Sequence, residues 1–278
     1  METTKITAAE VNNLRKMTGA GMMDCKKALE EAGGDTEKAI DILRKKGQKV
    51  AANRSDRDAA EGVVIATTTA DSGRAVMIVL NCETDFVAKN EDFGKTASTI
   101  LNAAVSQNPA SIDALKALPF GDSGISIELK ITEEIGKIGE KIELSAYESV
   151  NGTTTVAYNH PGNKLAAIVS FNKPIAADAA RDVAMQVAAM APVAVTPAEI
   201  SADLVQKEKE IARDLAIQEG KPADMADKIA DGRILKWYKE AALLEQAFIK
   251  DNKVSVAQYL KQLDSELTVT SFRRIALG

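Results

Sequence analysis

The chain has 278 residues, 45% hydrophobic and 27% charged, with a formal net charge of −5. That length predicts about two domains with room for a sizeable core, and the composition excludes a disordered chain. The acidic balance argues against direct nucleic-acid binding, and with aromatics at 4% the core must be filled by Ala, Val, Ile and Leu.

Residues 1–47 predict three short helices. Thr7 and Glu10 can form a capping box ahead of an apolar face of Val11, Leu14 and Met17. Thr18-Gly19-Ala20-Gly21 breaks that helix. A second runs from Met22 or Asp24 to Ala32 and ends on Gly33-Gly34, suited to a left-handed cap. Asp35 caps a third, with Ala39, Ile40 and Leu43 on one face, expected to stop at Gly47. So small a module has a marginal core, which favours a docking device over an enzyme. Residues 1–58 hold 12 Lys+Arg against 10 Asp+Glu, with no basic stripe. The polar run Asn53-Arg54-Ser55-Asp56-Arg57-Asp58 reads as a helical tail or linker, placing a domain over residues 1–55.

The middle of the chain holds a weak repeat of hairpin then helix. Gly62–Ala70 and Arg74–Cys82 predict strands joined by Asp71-Ser72-Gly73, followed by a helix over Asp92–Gln107. Thr153–Tyr158 and Lys164–Phe171 predict a second pair, joined by Asn159-His160-Pro161-Gly162-Asn163, and a helix over Ala176–Met190. Asn151-Gly152 reads as a hairpin turn. Two such units imply an α+β core of two related subdomains, each with antiparallel strands: 56–141, and 142–195 with 250–278. Between them, residues 196–249 change to helical spacing. Thr196-Pro197-Ala198-Glu199 reads as a helix start, and Ile200, Leu204, Ile211 and Leu215 recur at near-heptad intervals. Gly220-Lys221-Pro222 breaks this helix, and a second over Ala223–Phe248 would complete an inserted antiparallel helical hairpin. Leu267-Thr268-Val269-Thr270-Ser271-Phe272 returns to strand pattern.

Catalytic chemistry is hard to find. One histidine, His160, forbids a two-His metal motif. Cys25 and Cys82 form neither a CxxC pair nor a thiolate zinc set. No GxxxxGK[ST] loop is present, and Gly19-Ala20-Gly21 lacks the rest of a dinucleotide fingerprint. The expectation is a binding protein with no cofactor and no metal of its own. Met1-Glu2-Thr3-Thr4-Lys5 is polar, with no signal peptide or membrane-spanning run, which predicts the cytoplasm.

One segment stands out. Asn81-Cys82-Glu83-Thr84-Asp85-Phe86-Val87-Ala88-Lys89-Asn90 lies where a buried strand gives way to a helix, with Thr84 and Asp85 of capping type. Phe86 can pack down onto the core, or project as an interface anchor. Thr84-Asp85-Phe86-Val87-Ala88-Lys89-Asn90 resembles the TDFVA[RK]N signature of the translation elongation factor Ts family. Leu14-Arg15 and Thr18-Gly19-Ala20-Gly21-Met22-Met23-Asp24-Cys25-Lys26-Lys27-Ala28-Leu29 resemble that family's other signature.

The resemblance implies a small ubiquitin-associated-like (UBA-like) helical domain, two related α+β subdomains and an inserted helical hairpin. It implies guanine-nucleotide exchange on elongation factor Tu, with no covalent step. Thr84, Asp85, Phe86 and Val87 would disturb the partner's Mg²⁺ region, with Phe86 as the wedge. Leu14, Met22 and Met23 match positions that dock on the partner, although the same side chains could form the small domain's own core. His160 matches a partner contact in a turn of the second subdomain. Self-association is linked to the hairpin in some members, while its apolar face here could equally pack on its own core. The ending Phe272-Arg273-Arg274-Ile275-Ala276-Leu277-Gly278 leads to the expectation that the extra C-terminal module of some members is missing.

Overall fold

The computed structural model describes residues 6–278, apart from the side chain of Asp224; the polar start Met1-Glu2-Thr3-Thr4-Lys5 lies outside them. The chain opens with helices α1 (Ala8–Thr18), α2 (Met22–Glu31) and α3 (Thr36–Asn53). The capping box forms as expected: the Glu10 amide donates to Thr7 Oγ1 at 3.3 Å, and the Thr7 amide to Glu10 Oε2 at 2.7 Å. Gly19 closes α1 in the left-handed region, and Asp35 caps α3 by accepting from the Lys38 amide. Val11, Leu14, Cys25, Ala28, Leu29 and Ala39 form the core of this trio.

Helix α3 does not stop at Gly47 but runs on to Asn53. Gly47 is a contact, not a terminator. It crosses helix α7 (Ile127–Ile138) where a Cβ on Gly136 would stand 2.7 Å from Gly47 Cα, and one on Gly47 3.0 Å from Thr132 O. Glycine is what lets the two backbones touch, at some cost in helix propensity.

After α3 come β1 (Glu61–Thr68), β2 (Arg74–Cys82), α4 (Asp85–Ala88), α5 (Glu91–Gln107) and α6 (Ile112–Ala117), then α7 and β3 (Ile142–Asn151). One sheet has the order β1-β2-β3. A second, β4 (Thr154–Asn159), β5 (Leu165–Phe171) and β8 (Val269–Ala276), is antiparallel with β5 central. Asn151-Gly152 therefore links strands of different sheets rather than closing a hairpin, and the Gly152 amide donates to Gly73 O instead. Helix α8 (Ala177–Met190) packs on the second sheet.

Helices α9 (Ala202–Gln218) and α10 (Ala223–Ala241) pack on each other. Cross-pairs Lys209–Asp231 (2.6 Å) and Arg213–Asp227 (2.9 Å) show that they run antiparallel. Two details differ from the sequence pattern. Residues 197–199 form only a 3-10 turn, and Ser201 caps α9. Helix α10 ends at Ala241 because the chain turns to bond with Ala194 and Val195, sending Leu243 and Phe248 into the core beneath α8. The seam between α9 and α10 is made of Ala212, Ala216, Ala226, Ala230 and Ile234, while Ile211 and Leu215 are half exposed. Small side chains let the helices approach closely and displace the larger ones outward. Strands β6 (Ala247–Phe248) and β7 (Asp251–Ser255) and helix α11 (Val256–Leu263) lead into β8.

The protein is thus of mixed α+β type with antiparallel strands. By compactness it forms two units. The first runs to Ile65, resumes over Ile78–Tyr147 and includes Leu277–Gly278; the second is Ala66–Met77 with Glu148–Ala276. No described helix is long and apolar enough to cross a membrane.

Candidate functional site

In the first unit, β2 is buried through Leu80, Asn81 and Cys82 and delivers the chain to a fixed junction. There Thr84 caps α4 by accepting from the Val87 amide at 3.4 Å. Asn90, accepting from the Asp92 amide, caps α5 immediately afterwards. The segment is a four-residue helix between two caps. So short a helix has little stability of its own.

Polar groups around the junction make up the difference. The Thr84 amide donates to Glu140 Oε2 at 3.1 Å, and its hydroxyl to Glu140 Oε1 at 2.7 Å. The Cys82 thiol donates to Thr84 O at 3.2 Å. The Lys141 amide donates to Glu83 Oε1 at 2.6 Å, and Arg54 and Arg57 reach the same carboxylate at 2.7 and 3.3 Å. Burial opposes ionisation of Glu83, but the Lys141 amide and the two guanidiniums outweigh it and hold the carboxyl below its ordinary value. The Cys82 thiol is pushed up to about 12 by burial, then by the negative charges of Glu140 and Glu61, so it stays protonated. Nothing here makes it a nucleophile.

Phe86 sits at the second position of α4 and is 83% exposed, so the reading in which it packs into the core does not hold. Phe93, seven residues on, is 3% exposed and does that work instead. Leaving a Phe in water forfeits roughly 2 kcal/mol of burial. Asp85 pairs with Lys89 across one turn at 2.6 Å, and Val87, the next residue after Phe86, is half-buried. A hollow of about 290 Å³ at the foot of Phe86 is floored by Val87, Phe93 and Ile138.

The other expected contact residues separate. Met22 and Met23 are 54% and 62% exposed at the start of α2, beside an exposed Met17. Leu14 is 1% exposed and belongs to the core of the three helices. His160 lies in the second unit, exposed in the turn after β4, with Nδ1 3.0 Å from the Tyr158 hydroxyl Oη. Among the described residues, no cluster of His, Cys, Asp and Glu could hold a metal ion.

Sequence reasoning missed Glu83, Glu140, Arg54 and Arg57. The charged run at Arg54–Arg57 looked like solvated linker, and Glu140 signals itself only through Gly139, which caps α7 in the left-handed region and turns the chain back toward Thr84.

Comparison with known proteins bears on what this arrangement serves. Residues 83–278 match the family model described as Elongation factor TS. A protein of Christiangramia forsetii named Elongation factor Ts is 51% identical over 276 residues, covering 99% of each chain. Those of the same name from Porphyromonas gingivalis and Chlorobium phaeobacteroides are 50% and 44% identical, covering 98% and 99% of each chain.

Proposed function

The chain belongs to the elongation factor Ts family, and we propose that it is a guanine-nucleotide exchange factor. In this reading it binds elongation factor Tu carrying GDP, disturbs that partner's Mg²⁺ and phosphate site, and promotes GDP release so that GTP can reload. The observation that carries the reading is Phe86, 83% exposed on a clamped junction within the motif Thr84–Asn90.

The physics needs no bond making. A factor that weakens GDP binding must itself be weakened by GDP to the same degree, because the coupling free energy is shared. Loosening the partner's Mg²⁺ removes the counter-charge on the nucleotide phosphates. Phe86 supplies the apolar wedge, Thr84 and Asp85 fix the turn that carries it, and Val87 supports it from below. Met22 and Met23 offer adaptable apolar contacts on a docking domain of residues 1–55, with Leu14 in the core of its three helices. His160 adds a contact from the second subdomain, residues 142–195 with 250–278, and the hairpin, residues 196–249, offers a surface for self-association. The setting is the cytoplasm, without direct nucleic-acid or membrane contact.

The test is release of labelled GDP from elongation factor Tu. Catalytic amounts of this protein are expected to accelerate it, and no acceleration at any concentration would overturn the reading.

A further inference from the structure

An exposed side chain cannot be aimed by packing. Phe86 has almost none, so its direction is inherited from the backbone of α4, a helix of four residues. What fixes α4 is therefore what aims Phe86. The structure contains a reciprocal clamp there. Two neighbouring residue pairs, 83–84 and 140–141, each lend a carboxylate to the other's backbone: Glu83 accepts the Lys141 amide, and Glu140 accepts the Thr84 amide.

The Glu140 half of the clamp sets the cap itself. Both carboxylate oxygens are committed to Thr84, one to its amide and one to its hydroxyl. With the hydroxyl proton directed at Glu140, a lone pair of Oγ1 is left for the Val87 amide, which is the capping bond that starts α4. Glu83, the residue before Thr84, accepts the Lys141 amide through its carboxylate, and the Lys141 ammonium donates to Ser55 O and Arg57 O, which ties down the segment bearing the two guanidiniums.

We propose that Glu140 is a positioning residue for nucleotide exchange, holding the Thr84 cap so that α4 presents Phe86 already oriented toward the partner. The proposal rests on the exchange reading above and names the residue through which the wedge is controlled. Glu140 itself touches neither nucleotide nor partner in this account; it acts through Thr84.

The test is a double-mutant cycle between Glu140 and Phe86, read as the saturating rate of GDP release from elongation factor Tu. Glu140→Ala is expected to lower that rate about tenfold, in the range that misplacing a contacting group costs, with a smaller change in the concentration for half-saturation. In the Phe86→Ala background the same substitution is expected to do nothing further, because there is no wedge left to aim. In the free protein, amide hydrogen exchange is expected to rise at Thr84 and Val87 and stay unchanged in α5. If Glu140→Ala slows both backgrounds equally, or neither, the clamp is not a positioning device. If Phe86→Ala leaves exchange intact while Glu140→Ala slows it, the wedge reading falls and this proposal with it. Should Glu140→Ala fold poorly, the isosteric Glu140→Gln, with one acceptor oxygen in place of two, is read in the same cycle.

Discussion

Strands β2 and β5 are each central in a three-stranded sheet and each runs into a helix, yet their junctions use their apolar residue in opposite ways. After β5, Asn172 bridges to the chain before β8, accepting from the Thr268 amide and donating to Glu266 O, both at 2.8 Å. Lys173 adds Asp264 and Glu266 at 3.0 and 2.6 Å. Ile175 then packs down onto the cluster around Phe171 and Val183, and α8 begins without a side-chain cap. After β2 the polar ties are the Glu83 carboxylate accepting from the Lys141 amide and the Thr84 amide donating to Glu140, and the aromatic residue is left in water. Where a turn is anchored by its hydrophobic residue, that residue is spent on folding. Where it is anchored by carboxylates, the hydrophobic residue is free for something else.

The comparison can be broken by exchanging the fates of the two residues. Phe86→Ala is expected to slow GDP release about 100-fold, the cost of losing an interface anchor, while unfolding free energy moves by no more than about 0.5 kcal/mol. Ile175→Ala is expected to do the reverse, lowering stability by about 2 kcal/mol with exchange intact. Chemical denaturation and a nucleotide-release assay on both variants decide it; equal losses in both assays for Phe86→Ala would erase the distinction. Gly136→Ala probes what supports the first junction. Its new methyl would meet Gly47 Cα at 2.7 Å, and the resulting overpacking outweighs the gain in helix propensity by about 1 kcal/mol, measurable as a lowered melting temperature.

Acid sharpens the contrast more gently. The Glu83 carboxyl is held below its ordinary value of 4.5, so its contribution to stability is present above that pH and is lost as pH falls through the folded-state value. The difference in melting temperature between the wild type and Glu83→Gln is therefore expected to shrink between about pH 6 and about pH 3. The smallest effect concerns the thiol. Cys82, with its pKa raised to about 12, contributes stability at neutral pH that is lost as pH climbs from the ordinary thiol value of 9.0 toward 12. At about pH 8 it is expected to resist alkylation in the native protein.

Much of the fold was legible wherever one residue type forces one backbone state. The Thr7 and Glu10 box, the Gly19 stop and the Asp35 cap all formed as their chemistry demands. Gly47 misled because a glycine that ends a helix and a glycine that lets two helices touch look alike until the second helix is known. That second helix, α7, carries Ile127, Ile131 and Ile135 on a buried face, but its β-branched run gives a poor helical signal. Of the candidate site, the motif around Phe86 was readable as a word, and its exposure was not. Exposure depends on which phenylalanine the core takes, here Phe93 and not Phe86, and on Glu140, 56 residues after Thr84, holding the cap. Leu14 shows the opposite case: its spacing with Val11 marked a buried face, and the structure places it there.

Helix α3 can also be regarded mechanically. Its 18 residues make a strut about 27 Å long. Ala39, near one end, sits in the core that α3 shares with α1 and α2; Gly47 bears on α7 partway along; and Arg54, just past the other end, grips Glu83. With backbone against backbone at the bearing, there is no compliant side chain to absorb a displacement. One continuous helix thus connects the core shared with the methionine-bearing helices, past a two-glycine contact, to the residue that pairs with the carboxylate one position before the Thr84 cap.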